Sequence, residues 1–266
     1  MGIDLATFDT KQDGGMSKDE GEALIEEYGS RLDELEDLLY YASEHSLLVV
    51  LQGRDAAGKD GTIRTILRYV NAQSSYVAPF KVPTEQELAH DFLWRVHKRT
   101  PGNGEMAIFN RSHYEDVLVV RVHSLAPEDV WRERYDRINE FEKLLAQNNT
   151  IILKFMLWIS SEEQEERLLA REQEVEKSWK LSAGDWKERE LWDDYTTAYQ
   201  EALDRCSFEH APWHVIPADR KWYRDYLVLK TVVEALEPSM ASWLTSLAEL
   251  GEERKRELEE YRAGKI

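Results

Sequence analysis

Apolar residues recur along this chain with two distinct periods. Over residues 17–43 they fall at helical spacing (Leu24, Ile25, Tyr28, Leu32, Leu35, Leu38, Leu39), and Ser17 with Glu20 forms a capping box, so an amphipathic helix is predicted. Residues 47–51 are an uninterrupted apolar run, which suits a strand buried on both faces of a parallel sheet. Further strands are predicted at 76–80, 105–109, 150–159 and 214–217. Helices are predicted at 62–70, 85–100, 127–148, 160–171 (capped by Ser161), 191–206 and 219–236. Residues 117–123 suit helix and strand equally, and Pro238 marks a break before a mostly charged helix at about 239–264. Strands alternating with helices argue for an α/β fold, a three-layer parallel sheet with helices on both faces. There is no repeat and no low-complexity linker, so residues 17–266 read as a single domain. Residues 1–16, acidic and glycine-bearing without an apolar core, are expected to be disordered. The stretch at about 172–190, dense in charge and tryptophan, is the candidate for a mobile helical lid.

Composition then excludes several classes. A single cysteine, Cys206, rules out an internal disulfide framework and a multi-cysteine zinc site, and suits a reducing cytoplasm. Its bland reading is a small side chain in a helix. The N-terminus is not a signal peptide, Ala6 stands where myristoylation needs Ser or Thr, and the run at 47–51 is far too short to cross a bilayer. No membrane partner is expected. The net charge of −18 is unevenly spread: residues 50–125 hold ten Lys/Arg against eight Asp/Glu, while each flank is near −10. Acid on the flanks favours solubility, and the lack of a basic face argues against nucleic acid.

The neutral middle carries the chemistry. Residues 53–60 read Gly-Arg-Asp-Ala-Ala-Gly-Lys-Asp, a phosphate loop placed between a buried-type strand and a helix. Its glycines let backbone N–H groups of Gly53, Arg54, Ala56, Ala57, Gly58 and Gly61 converge on phosphate oxygens. The helix N-terminus adds partial positive charge, and Lys59 a full one. Asp60 replaces the usual hydroxyl residue. A carboxylate about 4 Å from a phosphate costs roughly 4 kcal/mol at an effective dielectric near 20, and Asp55 adds a second. A divalent ion between the anions resolves the conflict, and Mg²⁺ binds in this way through one or two carboxylates plus substrate phosphates. The competing reading of Asp55 is a turn-forming residue that bonds its own backbone.

A second cluster, Phe109-Asn-Arg-Ser-His-Tyr-Glu-Asp116, follows a predicted strand. Ligands of open α/β sheets bind at the carboxyl ends of strands, so this loop should face the phosphate loop. Arg111 is suited to grip phosphate, and Glu115 and Asp116 to hold metal or position an acceptor. The structural alternatives are an ion-pair role for Arg111, packing for Tyr114 and helix capping for either acid. Further on, Arg167, Arg171, Lys177, Lys180 and Lys187 surround Trp179 and Trp186, either as lid cations that close over phosphates or as a solvated helical face. His90, His97, His113 and His123 have no spacing that compels a metal site.

Taken together, these residues resemble the polyphosphate kinase 2 family, and within it the class III branch, over about residues 20–235. The matching segments are the phosphate loop, Phe80-Lys-Val-Pro-Thr84, His90-Asp-Phe-Leu-Trp-Arg95, residues 109–118, Trp179-Lys-Leu-Ser182, Trp192-Asp-Asp-Tyr195 and residues 211–222. The resemblance implies a P-loop kinase-like fold of the thymidylate kinase kind. It implies phosphoryl transfer between polyphosphate and nucleoside mono- and diphosphates, AMP and ADP becoming ADP and ATP, with Mg²⁺ or Mn²⁺ and adenine or guanine nucleotides. It sets Asp55, Lys59 and Asp60 on the family's phosphate loop, Arg111 and Glu115 on its second motif, and Lys180 on its lid; Lys81 and Arg171 are also expected to contact phosphate. The expected catalytic set is Asp55, Lys59, Arg111 and Glu115, and the expected metal ligands are Asp55, Asp60 and Asp116. Asn110 stands where other branches carry a metal-binding Asp, and Gln173-Glu-Val175 where Asp-Pro is often found. Two other readings stay open: an ATP-dependent nucleoside monophosphate kinase, and a nucleotide-binding module without turnover. The final helix suits solvent or a homo-oligomer interface equally.

Overall fold

The computed structural model describes residues 2–173 and 183–265. Five parallel strands form one sheet in the order β2-β3-β1-β4-β5. They are β1 (Ser46–Gly53), β2 (Ser75–Pro79), β3 (Met106–Asn110), β4 (Thr150–Trp158) and β5 (Trp213–Pro217). β1 lies at the centre, and all eight of its residues are buried, as its unbroken apolar run predicts. Its side chains alternate between the two faces. Leu47, Val49 and Leu51 enter the core shared with α1 (Lys18–Ala42), α2 (Lys59–Ile66) and α10 (Lys221–Leu236). Leu48 and Val50 enter the core under α6 (Glu128–Gln147) and α9 (Trp192–Arg205). Burying each such side chain contributes roughly 1.5–3 kcal/mol. The three-layer parallel fold read from the sequence is the fold observed.

Local signals set most boundaries. Ser17 and Glu20 make the capping box that starts α1. The predicted helix at 85–100 is instead two single turns, α3 (Glu85–Leu88) and α4 (Trp94–His97). Between them the Asp91 carboxylate accepts from the Leu93 N–H at 3.0 Å, a local bond that competes with helix continuation. Residues 117–123 resolve to the short helix α5 (Val119–Val122). The cap of α7 (Ser161–Gln173) is Ser160 and not Ser161: its hydroxyl accepts from the Glu163 N–H at 3.1 Å. One 3₁₀ turn, Glu237–Ser239, carries the chain past Pro238 into α11 (Met240–Arg262), where the buried Trp243 donates to His45 Nδ1 at 3.0 Å. The start of the chain, expected to be disordered, lies against the body of the protein. Leu5 is 2% exposed, its N–H donates to Gln200, and its carbonyl accepts from the Trp158 indole. Single anchors of this kind leave no periodic trace in a polar segment. Of the expected lid, α8 (Ala183–Glu190) is described, while Lys177, Trp179 and Lys180 lie outside the described residues. Among the described residues no helix is long and apolar enough to cross a membrane.

Candidate active site

β1 and β3 are adjacent and parallel, with Leu51 in register with Asn110. The loops that leave their carboxyl ends, residues 53–61 and 110–116, therefore meet, as expected for a ligand crevice in an open α/β sheet. The phosphate loop is shaped by two glycines. Gly53 has φ 150°, and a Cβ there would sit 2.6 Å from the Leu157 carbonyl oxygen. Gly58 caps α2 with φ 109°, and a Cβ would fall 1.8 Å from Arg224 Nη1. The loop's carbonyls are held from behind. Arg167 donates to Ala56 and Ala57, Arg224 to Ala57, and Gln164 to Asp55. The backbone N–H groups of Asp55, Ala56, Gly58, Lys59 and Asp60 have no acceptor among the described residues. A concavity of free amides at a helix start is an anion site.

The charged side chains are arranged around that concavity. Lys59 is buried, and its ammonium donates to the carbonyls of Gly53 (2.7 Å) and Arg54 (3.1 Å). Burial, and then the Arg111 guanidinium, push its pKa down to about 8. Arg111 spans two carboxylates: Nη2 reaches Asp55 at 2.7 Å and Nη1 reaches Glu115 at 3.1 Å. Burial opposes its charge, but Glu115 and Asp55 outweigh that and hold it above its usual value. Its backbone is left-handed, φ 62°, pinned by an N–H bond to the Leu51 carbonyl. Asn110 donates to Asp60 Oδ1 at 2.9 Å, so this pair bridges the two motifs.

The structure thus brings Asp55, Lys59, Asp60, Arg111 and Glu115 together and separates others. Arg54 is not a free phosphate cation. Its guanidinium stacks 3.7 Å from the Trp192 ring and donates to the Trp192 carbonyl and Thr196, which ties the loop to α9. Asp116 does not join Asp55 and Asp60; among the described residues no three His, Cys, Asp or Glu side chains are grouped to hold a metal. Arg134 holds its carboxylate at 2.8 Å, and burial pushes its pKa up to about 6. Lys81 is exposed at the rim of the same cleft. Arg171 pairs with Asp185 of α8 at 2.8 Å, a link between helices, and Lys180 lies outside the described residues. Arg167, read as a lid cation, is part of the loop's backing.

Sequence reasoning missed the supports beneath the site. Gln52 donates to Ser112, whose hydroxyl also accepts from the Tyr114 N–H. Below that, fully buried Lys154 and Glu142 pair, and both bond the Tyr114 hydroxyl. The one available signal was a lysine in the middle of the apolar run of β4. From the phosphate loop extends a cleft of about 520 Å³ whose lining includes Phe80, Val82, Pro83, Leu118, Val119, Trp192 and Tyr195. A cation-lined anion nest opening into an apolar chamber suits a phosphorylated ligand with a flat organic part.

Comparison with known proteins points the same way. Residues 15–242 match the sequence model of the family described as Polyphosphate kinase 2 (PPK2). The AMP/ADP-polyphosphate phosphotransferase of Meiothermus ruber is 56% identical over 207 residues, 78% of this chain and 78% of that protein. The ADP-polyphosphate phosphotransferase of Rhodopseudomonas palustris is 42% identical over 254 residues, 91% of this chain and 88% of that protein. The crystal structure of Polyphosphate Kinase 2 from Arthrobacter aurescens TC1 has a TM-score of 0.87 at 41% identity, covering 89% of this chain and 86% of that one.

Proposed function

The chain belongs to the polyphosphate kinase 2 family, and from that premise we propose that it transfers the terminal phosphoryl group of inorganic polyphosphate to AMP and ADP. The observation that carries the reading is the set of free loop amides facing Lys59 and the Asp55–Arg111–Glu115 cluster at one end of an apolar cleft. The donor's terminal phosphate takes the amide concavity, and Lys59 leaves the loop carbonyls for its stronger anionic acceptors. The nucleoside of the acceptor occupies the apolar cleft, with its phosphate against Arg111. The reaction breaks one P–O bond of the donor and forms one to an acceptor phosphate oxygen; the shortened polyphosphate leaves.

The acceptor oxygen is already anionic near neutral pH, so no proton need be removed. Catalysis is then positioning and charge stabilisation of a loose transition state. Arg111, with its backbone pinned and its guanidinium held by two carboxylates, reaches the transferring group without reorganisation. Asp55 positions Arg111 and a metal ion, and is not a base. Asp55 and Asp60 suit Mg²⁺ or Mn²⁺. Each offers a carboxylate with one oxygen held by the protein and the other without a partner among the described residues. Mg²⁺ takes such hard oxygens together with phosphate oxygens and water. When bound, the ion neutralises charge on the phosphoryl oxygens. We place the reaction in a reducing cytoplasm, a reading supported by the single buried and unpaired Cys206.

The test is the purified chain with Mg²⁺, ADP or AMP, and polyphosphate as sole donor. ATP or ADP should form, and Lys59→Ala should lower the rate by about 10²-fold or more. ADP formed from ATP plus AMP with none from polyphosphate would replace this reading by an ATP-dependent kinase. Binding without product from any donor would replace it by a binding module.

A further inference from the structure

The apolar part of the cleft contains two ionisable side chains, one buried and one largely so, that phosphate transfer does not use. Asp116 and Arg95 both line it, beside Phe80 and Leu118, with side chains 13% and 8% exposed. Each spends only part of its hydrogen-bonding capacity on the protein. Arg134 Nη1 donates to Asp116 at the carboxylate Oδ1 and at the backbone carbonyl, and Oδ2 has no partner among the described residues. Arg95 Nη1 donates to the Lys81 carbonyl at 2.8 Å and lies 3.8 Å from Glu87, while Nε and Nη2 have no acceptor among the described residues. None of these idle atoms is sealed from solvent. Arg95 is near enough to act electrostatically on Asp116. An ionisable acceptor and a set of donors kept open toward an apolar chamber are expensive to desolvate unless a ligand completes them.

A nucleoside is such a ligand. Its hydroxyls and exocyclic amine donate, and its ring nitrogens and carbonyls accept, on an otherwise flat apolar body. We propose that Asp116, assisted by Arg95, is the specificity-determining residue for the acceptor's nucleoside, accepting through Oδ2 a hydrogen bond from a neutral N–H or O–H group. The inference rests on the cleft being the acceptor site. The donor is either the exocyclic amine of the base or a ribose hydroxyl; both present the same chemistry to a carboxylate. A site built to bond such a group rejects an analogue that lacks it, because Oδ2 is then desolvated without a partner while Oδ1 stays with Arg134.

The experiment compares kcat/KM, with polyphosphate as donor, for AMP, purine riboside 5′-monophosphate, 2′-deoxy-AMP and 3′-deoxy-AMP. In the unaltered chain one analogue should fall at least tenfold, mainly through KM, and its identity names the group that is read. In Asp116→Asn, which keeps a carbonyl oxygen for Arg134 but turns the idle acceptor into a donor, the discrimination against that same analogue should shrink to under threefold. All analogues within threefold of AMP in the unaltered chain overturn the assignment, whether or not the variant folds. Discrimination that persists undiminished in folded Asp116→Asn also overturns it. Failure of AMP to react with polyphosphate at all, while polyphosphate and ADP still react, shows that the cleft does not serve as a monophosphate acceptor site. That result removes the assignment with it, and is told apart from the first two by the missing AMP rate.

Discussion

Replacing Lys154 by Met should be among the most destabilising single changes in this protein. Lys154 of β4 and Glu142 of α6 both have 0% exposed side chains and pair at 2.5 Å. The ammonium also donates to the Tyr114 hydroxyl (2.8 Å) and the Cys206 carbonyl (2.6 Å), and Glu142 further accepts from Tyr114 (2.9 Å) and contacts His113 Nε2 at 3.1 Å. Burial opposes ionisation of Glu142, but Lys154, together with His113, outweighs it and holds the carboxyl below its usual 4.5. Methionine fills similar volume and removes the charge, which leaves a carboxylate unpaired between sheet and helix. The cost of breaking such a pair is about 3–5 kcal/mol, a large share of a total near 5–15 kcal/mol. Equilibrium unfolding in urea at pH 7 measures it. The sign with pH is fixed by the carboxyl. In the unaltered protein its contribution is complete above about 4.5 and is lost as pH falls through the lower folded value. In Lys154→Met the unpaired carboxyl takes up a proton more readily, so the penalty shrinks toward acid. Lys154→Met with Glu142→Leu should return to within about 1–2 kcal/mol of the parent, since both charges are gone. A single-variant loss under about 1 kcal/mol at pH 7, or no recovery in the double variant, would show that the pair does not carry this stability.

Gly58→Ala should cost about 2–5 kcal/mol and abolish turnover, because a left-handed φ of 109° is combined with a Cβ 1.8 Å from the buried Arg224. Gly251→Ala, with open space around it in α11, should instead raise stability by about 0.5–1 kcal/mol; thermal unfolding of both compares them. Arg111→Lys should lower kcat/KM by about 10²-fold while unfolding free energy changes by under about 1 kcal/mol, since an ammonium cannot span Asp55 and Glu115. Burial raises the Asp116 carboxyl from 3.8 to about 6, so folding favours its protonated form and that contribution is lost as pH rises from about 4 to 6. Asp116→Asn removes the dependence. Its stability relative to the parent should climb by up to about 3 kcal/mol over that range, as read from denaturation at several pH values.

Much of this molecule is written in short-range pattern. The capping box at Ser17 and Glu20, the run at 47–51 and the order of strands and helices are local properties, and most elements formed near where their periodicity places them, the broken helix at 85–100 being the exception. The phosphate loop is local too, because its amides, Lys59 and Asp60 are contiguous and one turn of backbone assembles them. What tertiary structure decided is where the long polar side chains go. Arg54 belongs to the loop motif, yet α9, 138 residues further along, supplies the carbonyl it bonds. Arg167 looks like a lid cation and instead clamps the loop carbonyls; Asp116 looks like a metal ligand and is held by Arg134. The Asp55–Arg111 pair exists only because β3 docks against β1, and Lys154 is tolerated in an apolar strand only because Glu142 of α6 lies above it. A periodic apolar pattern specifies a face through many weak, additive contacts within one segment. A charged side chain is settled by one or two partners whose nearness depends on which strands and helices become neighbours, and no local pattern carries that information.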